Sequence, residues 1–231
     1  RRQRQMCIRD RLYTPQNGYA EQEPLDWWNA SVNGIKDVIS QSNVSADDIK
    51  GVGLSGQMHG LVMLDAENQP IRKSIIWCDQ RTAKEVAEIT DKVGADRMIE
   101  ITANPAITGF TAAKIMWVKN NEPQNYEKCR HILLPKDYIR FMLTGEFATE
   151  VSDASGMQLL DIPNRCWSDE VLNKLGIDKA LLARVYESPE ITGTITAKAA
   201  ELTGLKAGTP VVGGAGDNAA AAVSYTHLRA H

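Results

Sequence analysis

The stretch WWNASVNGIKDVIS at residues 27–40, followed by IKGVGLS at residues 49–55, indicates the fold class of this chain. Apolar residues in the first stretch recur at the spacing of one helix face, at Trp27, Trp28, Val32, Ile35, Val38 and Ile39. The second stretch is short and largely apolar, which predicts a buried strand. A helix followed directly by a buried strand is typical of a layered α/β domain, with the two tryptophans in the core between helix and sheet.

The alternation of helices and strands continues downstream. Residues 61–65 and 71–77 predict two strands joined by a short turn. Pro123 is expected to end the helix predicted at 111–121. The other segments are predicted as helices at 80–93, 137–143, 168–175, 178–184, 196–203 and 219–222, as strands at 131–135, 157–161 and 209–213, and as a loop at 151–156. The pattern shows no internal repeat or long linker, so we expect one compact domain.

The composition excludes several classes of protein. The chain has 231 residues, of which 43% are hydrophobic and 24% charged, and its formal net charge is −3. These values are those of a soluble globular protein with one large domain or two small ones. No apolar run reaches the roughly 18 residues of a membrane span, and the mild acidity gives no basic surface for nucleic acid.

The four cysteines, Cys7, Cys78, Cys129 and Cys166, are widely separated and form no C-x-x-C pair. This spacing argues against a zinc site and against a disulfide framework. The sequence therefore predicts no metal site in this chain and a reducing, cytoplasmic location.

The two ends differ from the rest of the sequence. Residues 6–10 can be encoded by ATG TGT ATA AGA GAC, whose reverse complement encodes Val-Ser-Tyr-Thr-His, the sequence at 223–227. We therefore interpret 1–10 and 223–231 as non-native tails translated from sequencing-library adapters, rather than as a basic arm or a targeting peptide. The tails carry a net charge of +4, so residues 11–222 carry −7.

A first candidate site follows the predicted strand at 49–55, in the loop Gly56-Gln57-Met58-His59-Gly60. Ligands of open α/β sheets commonly bind where strands end. Flanking glycines allow close approach of a small ligand, while Gln57 and His59 offer an amide and an imidazole to hydroxyl groups. A histidine in such a turn is also commonly a structural residue with its hydrogen bonds satisfied, and both readings stay open.

A second candidate site is the loop Gly213-Gly214-Ala215-Gly216-Asp217-Asn218, between a predicted strand and a predicted helix. Asp217 could act as a general base toward a substrate hydroxyl, or it could be the N-cap of the helix that follows. The two roles are compatible only if capping leaves the carboxylate available.

Two other charged pairs have simpler explanations. Lys136 and Asp137 open a predicted helix, which favours a helix cap and a solvated charge over a catalytic pair. Asp79 and Arg81 are most simply a structural ion pair. The sequence contains no G-x-x-x-x-G-K-[ST] loop, G-x-S-x-G elbow or H-E-x-x-H helix.

Several motifs together resemble the first domain of the FGGY carbohydrate kinases. They occur in the expected order over nearly all of residues 12–222: GYAEQEP at 18–24, SGQMHG at 55–60, GFTAAKIMWVKNN at 109–121, LLPKDY at 133–138, SDASG at 152–156 and GGAGDN at 213–218. The stretch at 109–121 fits the first signature pattern of that family. One departure is Cys78, where asparagine is common; the neighbouring Trp77, Asp79 and Arg81 are present.

The resemblance implies a ribonuclease-H-like, actin-like ATPase fold, of which residues 11–222 would be the first of two domains, truncated at both ends. In that family the sugar binds in the first domain and ATP binds between the two. The phosphate loop and the adenosine site would lie outside this chain, so the resemblance assigns no cofactor-binding residue here. We therefore expect the chain to have no kinase activity by itself.

The resemblance also implies roles for individual residues. Met58 and His59 match the sugar-contacting pair of the family, and Asp217 and Asn218 match its catalytic base and a substrate-binding neighbour. The expected reaction transfers the γ-phosphate of ATP, with Mg²⁺, to D-xylulose. The alternatives are a family member acting on another ketose or a polyol, and a non-catalytic sugar-binding protein of the same fold. Expected partners are a small sugar, neither nucleic acid nor membrane, with a homodimer as the compatible assembly.

Overall fold

The computed structural model describes residues 11–228, with side chains described for residues 11–223. Ten α-helices lie in this part of the chain: α1 Pro24–Ser42, α2 Ala83–Val93, α3 Ala95–Thr102, α4 Thr111–Asn121, α5 Pro123–Lys128, α6 Pro135–Thr144, α7 Val151–Ala154, α8 Asp169–Leu175, α9 Ala197–Thr203 and α10 Asp217–Leu228. No helix among the described residues is long and apolar enough to cross a membrane.

Twelve short strands lie between these helices: β1 Glu21–Gln22, β2 Ser55–Gly56, β3 Val62–Leu64, β4 Ser74–Ile75, β5 His131–Leu133, β6 Ala148–Glu150, β7 Leu160–Asp161, β8 Cys166–Trp167, β9 Arg184–Tyr186, β10 Ile191–Thr194, β11 Pro210–Val212 and β12 Ala215–Gly216. Antiparallel pairs join β1 to β4, β3 to β5, β7 to β8 and β10 to β11. Parallel pairs join β2 to β12 and β6 to β9.

Strand β3 is covered on both faces, which confirms the layered α/β prediction. Leu61 and Met63 belong to one hydrophobic cluster and Val62 and Leu64 to another, and all four are buried. Because successive side chains of a strand point to opposite faces, helices pack on both sides of this sheet. The second cluster contains Trp27 and Trp28, as predicted.

The prediction of a buried strand at 49–55 is largely wrong. Only Ser55 of this stretch lies in a strand, and Gly51, Gly53 and Ser55 are exposed. The segment pairs along one edge, where Val52 bridges Val211 and Leu54 accepts a hydrogen bond from Ala215. No strand among residues 11–228 pairs with its other edge.

The predicted loop at 151–156 is helical. Residues 151–154 form α7, because the Glu150 carboxylate accepts hydrogen bonds from the backbone N–H groups of Ser152 and Asp153. A 3₁₀ turn continues to Met157. A carboxylate that caps from outside the predicted segment is easily missed in a sequence rich in serine and glycine.

Other segments also differ from the prediction. The helix predicted at 178–184 is only a 3₁₀ turn at Lys179–Leu181, followed by β9. Helix α3 was not predicted, and neither were α5 and β10. Pro123 does end α4, yet it also begins α5, because a proline at the first helical position loses no hydrogen bond.

The cysteines within the described residues, Cys78, Cys129 and Cys166, are free. Cys7 and the rest of the predicted tail at 1–10 lie outside the described residues, as do residues 229–231. Helix α10 runs through the start of the other predicted tail. The adapter origin of both tails stays a prediction.

Candidate functional site

The two predicted loops lie side by side, because the short strands β2 and β12, which overlap them, are parallel neighbours. Ser55 is paired with Ala215, and Gly56 with Gly216. The carboxyl ends of both strands therefore reach the same edge, and the next residues are Gln57 on one strand and Asp217 on the other. This register brings the loop at 56–60 to the start of α10, as expected for a ligand site in an α/β fold.

Met58 packs directly beneath the backbone that precedes Asp217. A Cβ atom on Gly216 would lie 2.7 Å from Met58 Cγ and 2.8 Å from Met58 Sδ, closer than real contacts allow. Glycine at 216 is therefore what allows the thioether to lie against β12. The contact ties Met58 to the position of Asp217.

His59 has a fixed ring orientation and a fixed tautomer. Its backbone is left-handed, with φ 67°. The ring stacks on Phe110 with centroids 4.3 Å apart, and Nδ1 lies 2.9 Å from the Gly156 oxygen. Since a carbonyl oxygen only accepts, Nδ1 carries the hydrogen, and Nε2 of the neutral ring is an acceptor. A Cβ atom on Gly156 would lie 2.5 Å from the imidazole, so glycine is required there too.

The His59 imidazole is held in its neutral form. Burial lowers its pKa below the ordinary 6.5, opposed by the hydrogen bond to Gly156, while the charge of Lys114 lowers the pKa and that of Asp217 raises it. Among these four effects the charge of Asp217 is the smallest. At neutral pH the ring therefore offers Nε2 as a hydrogen-bond acceptor.

Asp217 is the exposed first residue of α10. Its Oδ1 accepts a hydrogen bond of 2.8 Å from the backbone N–H of Asn218. An N-cap side chain accepts instead from the second or third residue of the helix, so Asp217 is not a conventional N-cap. Within residues 11–223 this is the one hydrogen bond to the carboxylate, which leaves Oδ2 available to a ligand.

Gln57 points away from this group. Its Nε2 donates to Gln22 Oε1 over 2.9 Å, and Trp27 Nε1 donates to the same oxygen over 3.2 Å. The structure thus brings together Met58, His59 and Asp217, whereas the Gln57 amide is bound to the segment before α1.

Lys136 and Asp137 are not a solvated pair, contrary to the prediction. Lys136 Nζ is fully buried, 2.9 Å from Asp137 Oδ1 and 3.6 Å from oxygens of both Glu150 and Asp153. Arg140, also buried, donates to the main-chain oxygens of Val212 and Gly213. These five side chains form a buried ionic cluster beneath the strand that leads to Asp217.

Two members of the buried ionic cluster, Asp153 and Lys136, have shifted pKa values. Burial raises the pKa of Asp153 well above its ordinary 3.8, although Lys136 opposes this rise. The carboxylates around Lys136 together outweigh the effect of its burial and raise its pKa.

Asp79 and Arg81 form the structural ion pair that was predicted. Arg81 Nη2 lies 2.8 Å from Asp79 Oδ2, and Nη1 lies 2.8 Å from Glu21 Oε1. The guanidinium stacks 3.8 Å from the centroid of the Tyr19 ring. The Asp79 carboxylate also accepts a hydrogen bond from the Ala20 N–H. The pair fixes β1 and the loop after β4.

Four residues that support the site were not singled out from the sequence: Phe110, Lys114, Ser152 and Gly156. Phe110 and Gly156 hold the His59 ring, and Lys114 Nζ donates to the His59 oxygen over 2.7 Å. Each lies in a motif noted above, at 109–121 or 152–156. The motifs were therefore the signal that could have identified these four residues. The contacts that the residues make could not be predicted from the motifs.

No group of three or more His, Cys, Asp or Glu side chains in the described part of the chain could hold a metal ion. The prediction that Mg²⁺ accompanies ATP concerns the nucleotide and stays a prediction.

Comparison with known proteins gives a consistent result. Residues 4–224 match the N-terminal domain of the FGGY family of carbohydrate kinases. A xylulose kinase of Bacillus subtilis is 42% identical over 206 residues, covering 89% of this chain and 41% of the relative. A xylulose kinase of Lactococcus lactis is 42% identical over 214 residues, covering 91% of this chain and 42% of the relative.

Among solved structures, a xylulose kinase from Rhodospirillum rubrum superposes with a TM-score of 0.87 at 27% identity, covering 92% of this chain and 44% of that protein. This similarity confirms the predicted ribonuclease-H-like, actin-like ATPase fold. The chain spans about two fifths of the length of the curated relatives it matches.

Proposed function

This chain belongs to the FGGY family of carbohydrate kinases, and on that premise we propose that it is the sugar-binding part of a kinase that phosphorylates D-xylulose. The product would be D-xylulose 5-phosphate. The observation that carries the proposal is the parallel register of β2 and β12, which sets Asp217 beside Met58 and His59. One base and two sugar contacts thereby meet at one strand edge.

Asp217 acts as the general base in this proposal. Its carboxylate accepts the proton of the terminal sugar hydroxyl as that oxygen attacks the γ-phosphorus of ATP. The new P–O bond forms while the bond from the γ-phosphorus to the β,γ-bridging oxygen breaks, and ADP leaves. A positioned base contributes about 10²–10⁴ in rate, and most of the remaining acceleration in phosphoryl transfer comes from positioning and charge stabilisation.

Met58, His59 and Asn218 orient the sugar. Neutral His59 accepts a hydrogen bond from a sugar hydroxyl at Nε2, since Nδ1 is bound to Gly156. Met58 offers an apolar surface to the carbon backbone of the sugar, and the Asn218 amide supplies both a donor and an acceptor. Two polar contacts and one apolar contact suffice to place a single hydroxyl at Asp217.

ATP is the phosphoryl donor of this family, and Mg²⁺ would neutralise charge on its phosphates. We assign no residue within 11–228 to ATP, and the described side chains supply no group suited to a metal ion. A homodimer and a cytoplasmic location are retained as parts of the proposal.

The test uses a chimera in which residues 11–222 replace the matched segment of the Bacillus subtilis relative. ADP release is measured with D-xylulose, D-ribulose, L-ribulose and glycerol. The proposal expects D-xylulose to give the highest kcat/KM. Preference for another ketose or for glycerol would favour a different substrate class. Sugar binding without turnover would favour a non-catalytic binding protein.

An Asp217→Asn variant of the same chimera tests the role of the base. Its amide keeps the shape of the side chain but cannot accept the proton as a carboxylate does. D-Xylulose should still bind, measured by saturation-transfer NMR, while kcat falls by about 10²-fold or more. Full turnover in this variant would exclude Asp217 as the base.

A further inference from the structure

Ser152, in α7, lies between the buried ionic cluster and the backbone that carries Asp217. Its hydroxyl accepts a hydrogen bond of 3.1 Å from the Gly216 N–H and donates one of 2.8 Å to Glu150 Oε1. The directions are certain, because a backbone N–H only donates and a carboxylate only accepts. One hydroxyl therefore connects Glu150 to the residue before Asp217.

Glu150 is a rigid anchor for that hydroxyl. Its side chain is fully buried. It accepts further hydrogen bonds from Ser152 N, Asp153 N and Ser188 Oγ, at 2.9, 2.9 and 2.8 Å. A carboxylate held by that many donors has little freedom to move, so the Ser152 hydroxyl is fixed as well.

The Gly216 N–H lies on the side of β12 that faces away from β2. The Ala215 N–H donates to the oxygen of Leu54, the residue before β2, and successive N–H groups of a strand alternate in direction. Among the described residues no strand pairs with this outer side of β12, where Ser152 supplies the acceptor. The two peptide groups that flank Ala215 are thus both held, one by Leu54 and the other by Ser152, directly before Asp217.

We infer that Ser152 is a positioning residue for Asp217: its hydroxyl couples the buried Glu150 to Gly216 and so sets the direction of the neighbouring carboxylate. The inference rests on the proposed function, in which Asp217 is the base. The two hydrogen bonds of the Ser152 hydroxyl go to Glu150 and Gly216, and not to Met58 or His59. Its loss should therefore affect kcat more than the KM for the sugar.

Two substitutions in the chimera test this role. Ser152→Ala removes the hydroxyl and is expected to lower kcat about tenfold to a hundredfold, since small misplacements of a catalytic group have effects of that size. The KM for D-xylulose should change less than about threefold. Ser152→Thr keeps a hydroxyl and should restore kcat to within a few-fold of the parent.

Ser188→Ala is the matched control. Ser152 and Ser188 each donate to Glu150 over 2.8 Å, and only Ser152 also accepts from Gly216. The control should keep kcat within about threefold of the parent. Equal losses of kcat in the two alanine variants, or a rise confined to KM in Ser152→Ala, would overturn the inference.

Amide hydrogen exchange supplies a readout that does not need turnover. Peptides covering residues 213–218 should exchange faster in Ser152→Ala than in the parent or in Ser188→Ala, because the Gly216 N–H loses its acceptor. Unchanged exchange would overturn the inference. An inactive parent chimera overturns the proposed function, whereas an active parent whose Ser152→Ala variant keeps its kcat overturns only the role of Ser152.

Discussion

The ammonium nitrogen of Lys114 lies 2.7 Å from the main-chain oxygen of His59, inside the protein. The side chain is fully buried, and its other hydrogen bond goes to the Gly109 oxygen, also over 2.7 Å. Both acceptors are carbonyl groups rather than carboxylates. Burial, partly offset by the charges of Asp79 and Cys78, lowers the pKa of Lys114 from 10.5 to about 7.

Lys114 should therefore give the chain a stability that rises with pH. Between about pH 7 and 10 the unfolded chain binds a proton at this lysine that the folded chain does not, so the free energy of unfolding increases with a slope of up to about 1.4 kcal/mol per pH unit. Lys114→Met should lose this slope. Urea unfolding of both proteins at pH 6.5, 8 and 9.5 measures the difference.

Lys119→Met is the matched control for that experiment. Lys119 also donates to two main-chain oxygens, those of Leu175 and Gly176, but it does so at the protein surface. If both variants changed the pH dependence by the same amount, burial of Lys114 would not be its cause.

The His59 imidazole should titrate below pH 6.5, and removal of its aromatic cover should raise its pKa toward that value. Phe110→Ala exposes one face of the ring and reduces the cost of charging it. Because the folded pKa is lowered, the unfolded chain binds more protons just below pH 6.5, and stability should fall as the pH falls through that range. NMR titration of the histidine ring carbons measures the pKa.

Phe147→Ala is the control for the His59 titration. Phe147 stacks on His131, with centroids 3.7 Å apart, and burial lowers the pKa of His131 too. The control should shift the resonance of His131 and leave that of His59 unchanged. The opposite pattern would contradict the assigned stacking pairs.

Sequence reasoning located the site well but could not supply its contacts. The loops at 56–60 and 213–218 were predicted because glycines and polar residues follow apolar runs. Their adjacency depends on the parallel pairing of Val52 with Val211, which are far apart in the chain. Local periodicity contains no signal for such a pairing, so the contact between Met58 and Gly216 could not be predicted.

The buried ionic cluster was misjudged for a similar reason. A Lys-Asp pair at a helix start is usually solvated, since burying a charge is costly unless it is paired. Lys136 is paired, but its partners Glu150 and Asp153 lie on β6 and α7, outside the helix that Lys136 opens. Whether a charge is buried was thus decided by tertiary contacts that the neighbouring residues do not reveal.

Asp153→Asn should be well tolerated, because the amide mimics the protonated carboxyl. Because the pKa of Asp153 is raised in the folded chain, protonation of this carboxyl stabilises the fold. This stabilisation is complete below pH 3.8 and is lost as the pH rises through the folded pKa. The variant should lack this loss and change the free energy of unfolding at pH 5 by less than about 1 kcal/mol. Urea unfolding across pH 4–8 measures both effects.

Lys136→Met provides the contrast within the same cluster. It leaves the buried carboxylates of Asp137 and Glu150 without their shared cation, which typically costs about 3–5 kcal/mol. If Asp153→Asn were as destabilising as Lys136→Met, Asp153 would be ionised in the folded chain, contrary to its raised pKa.

Gly216→Ala should displace Met58 and weaken sugar binding. The added methyl would lie 2.7 Å from Met58 Cγ, so either the thioether or the strand must move. In the chimera the KM for D-xylulose should rise. A second substitution, Met58→Ala, should relieve the loss of stability caused by Gly216→Ala, because the effects of neighbouring residues couple. Gly34→Ala is the control: Gly34 lies exposed within α1 with open space around its Cα, so alanine there should add about 0.5–1 kcal/mol of stability. Additive effects of Gly216→Ala and Met58→Ala on the free energy of unfolding would show that the two side chains do not meet.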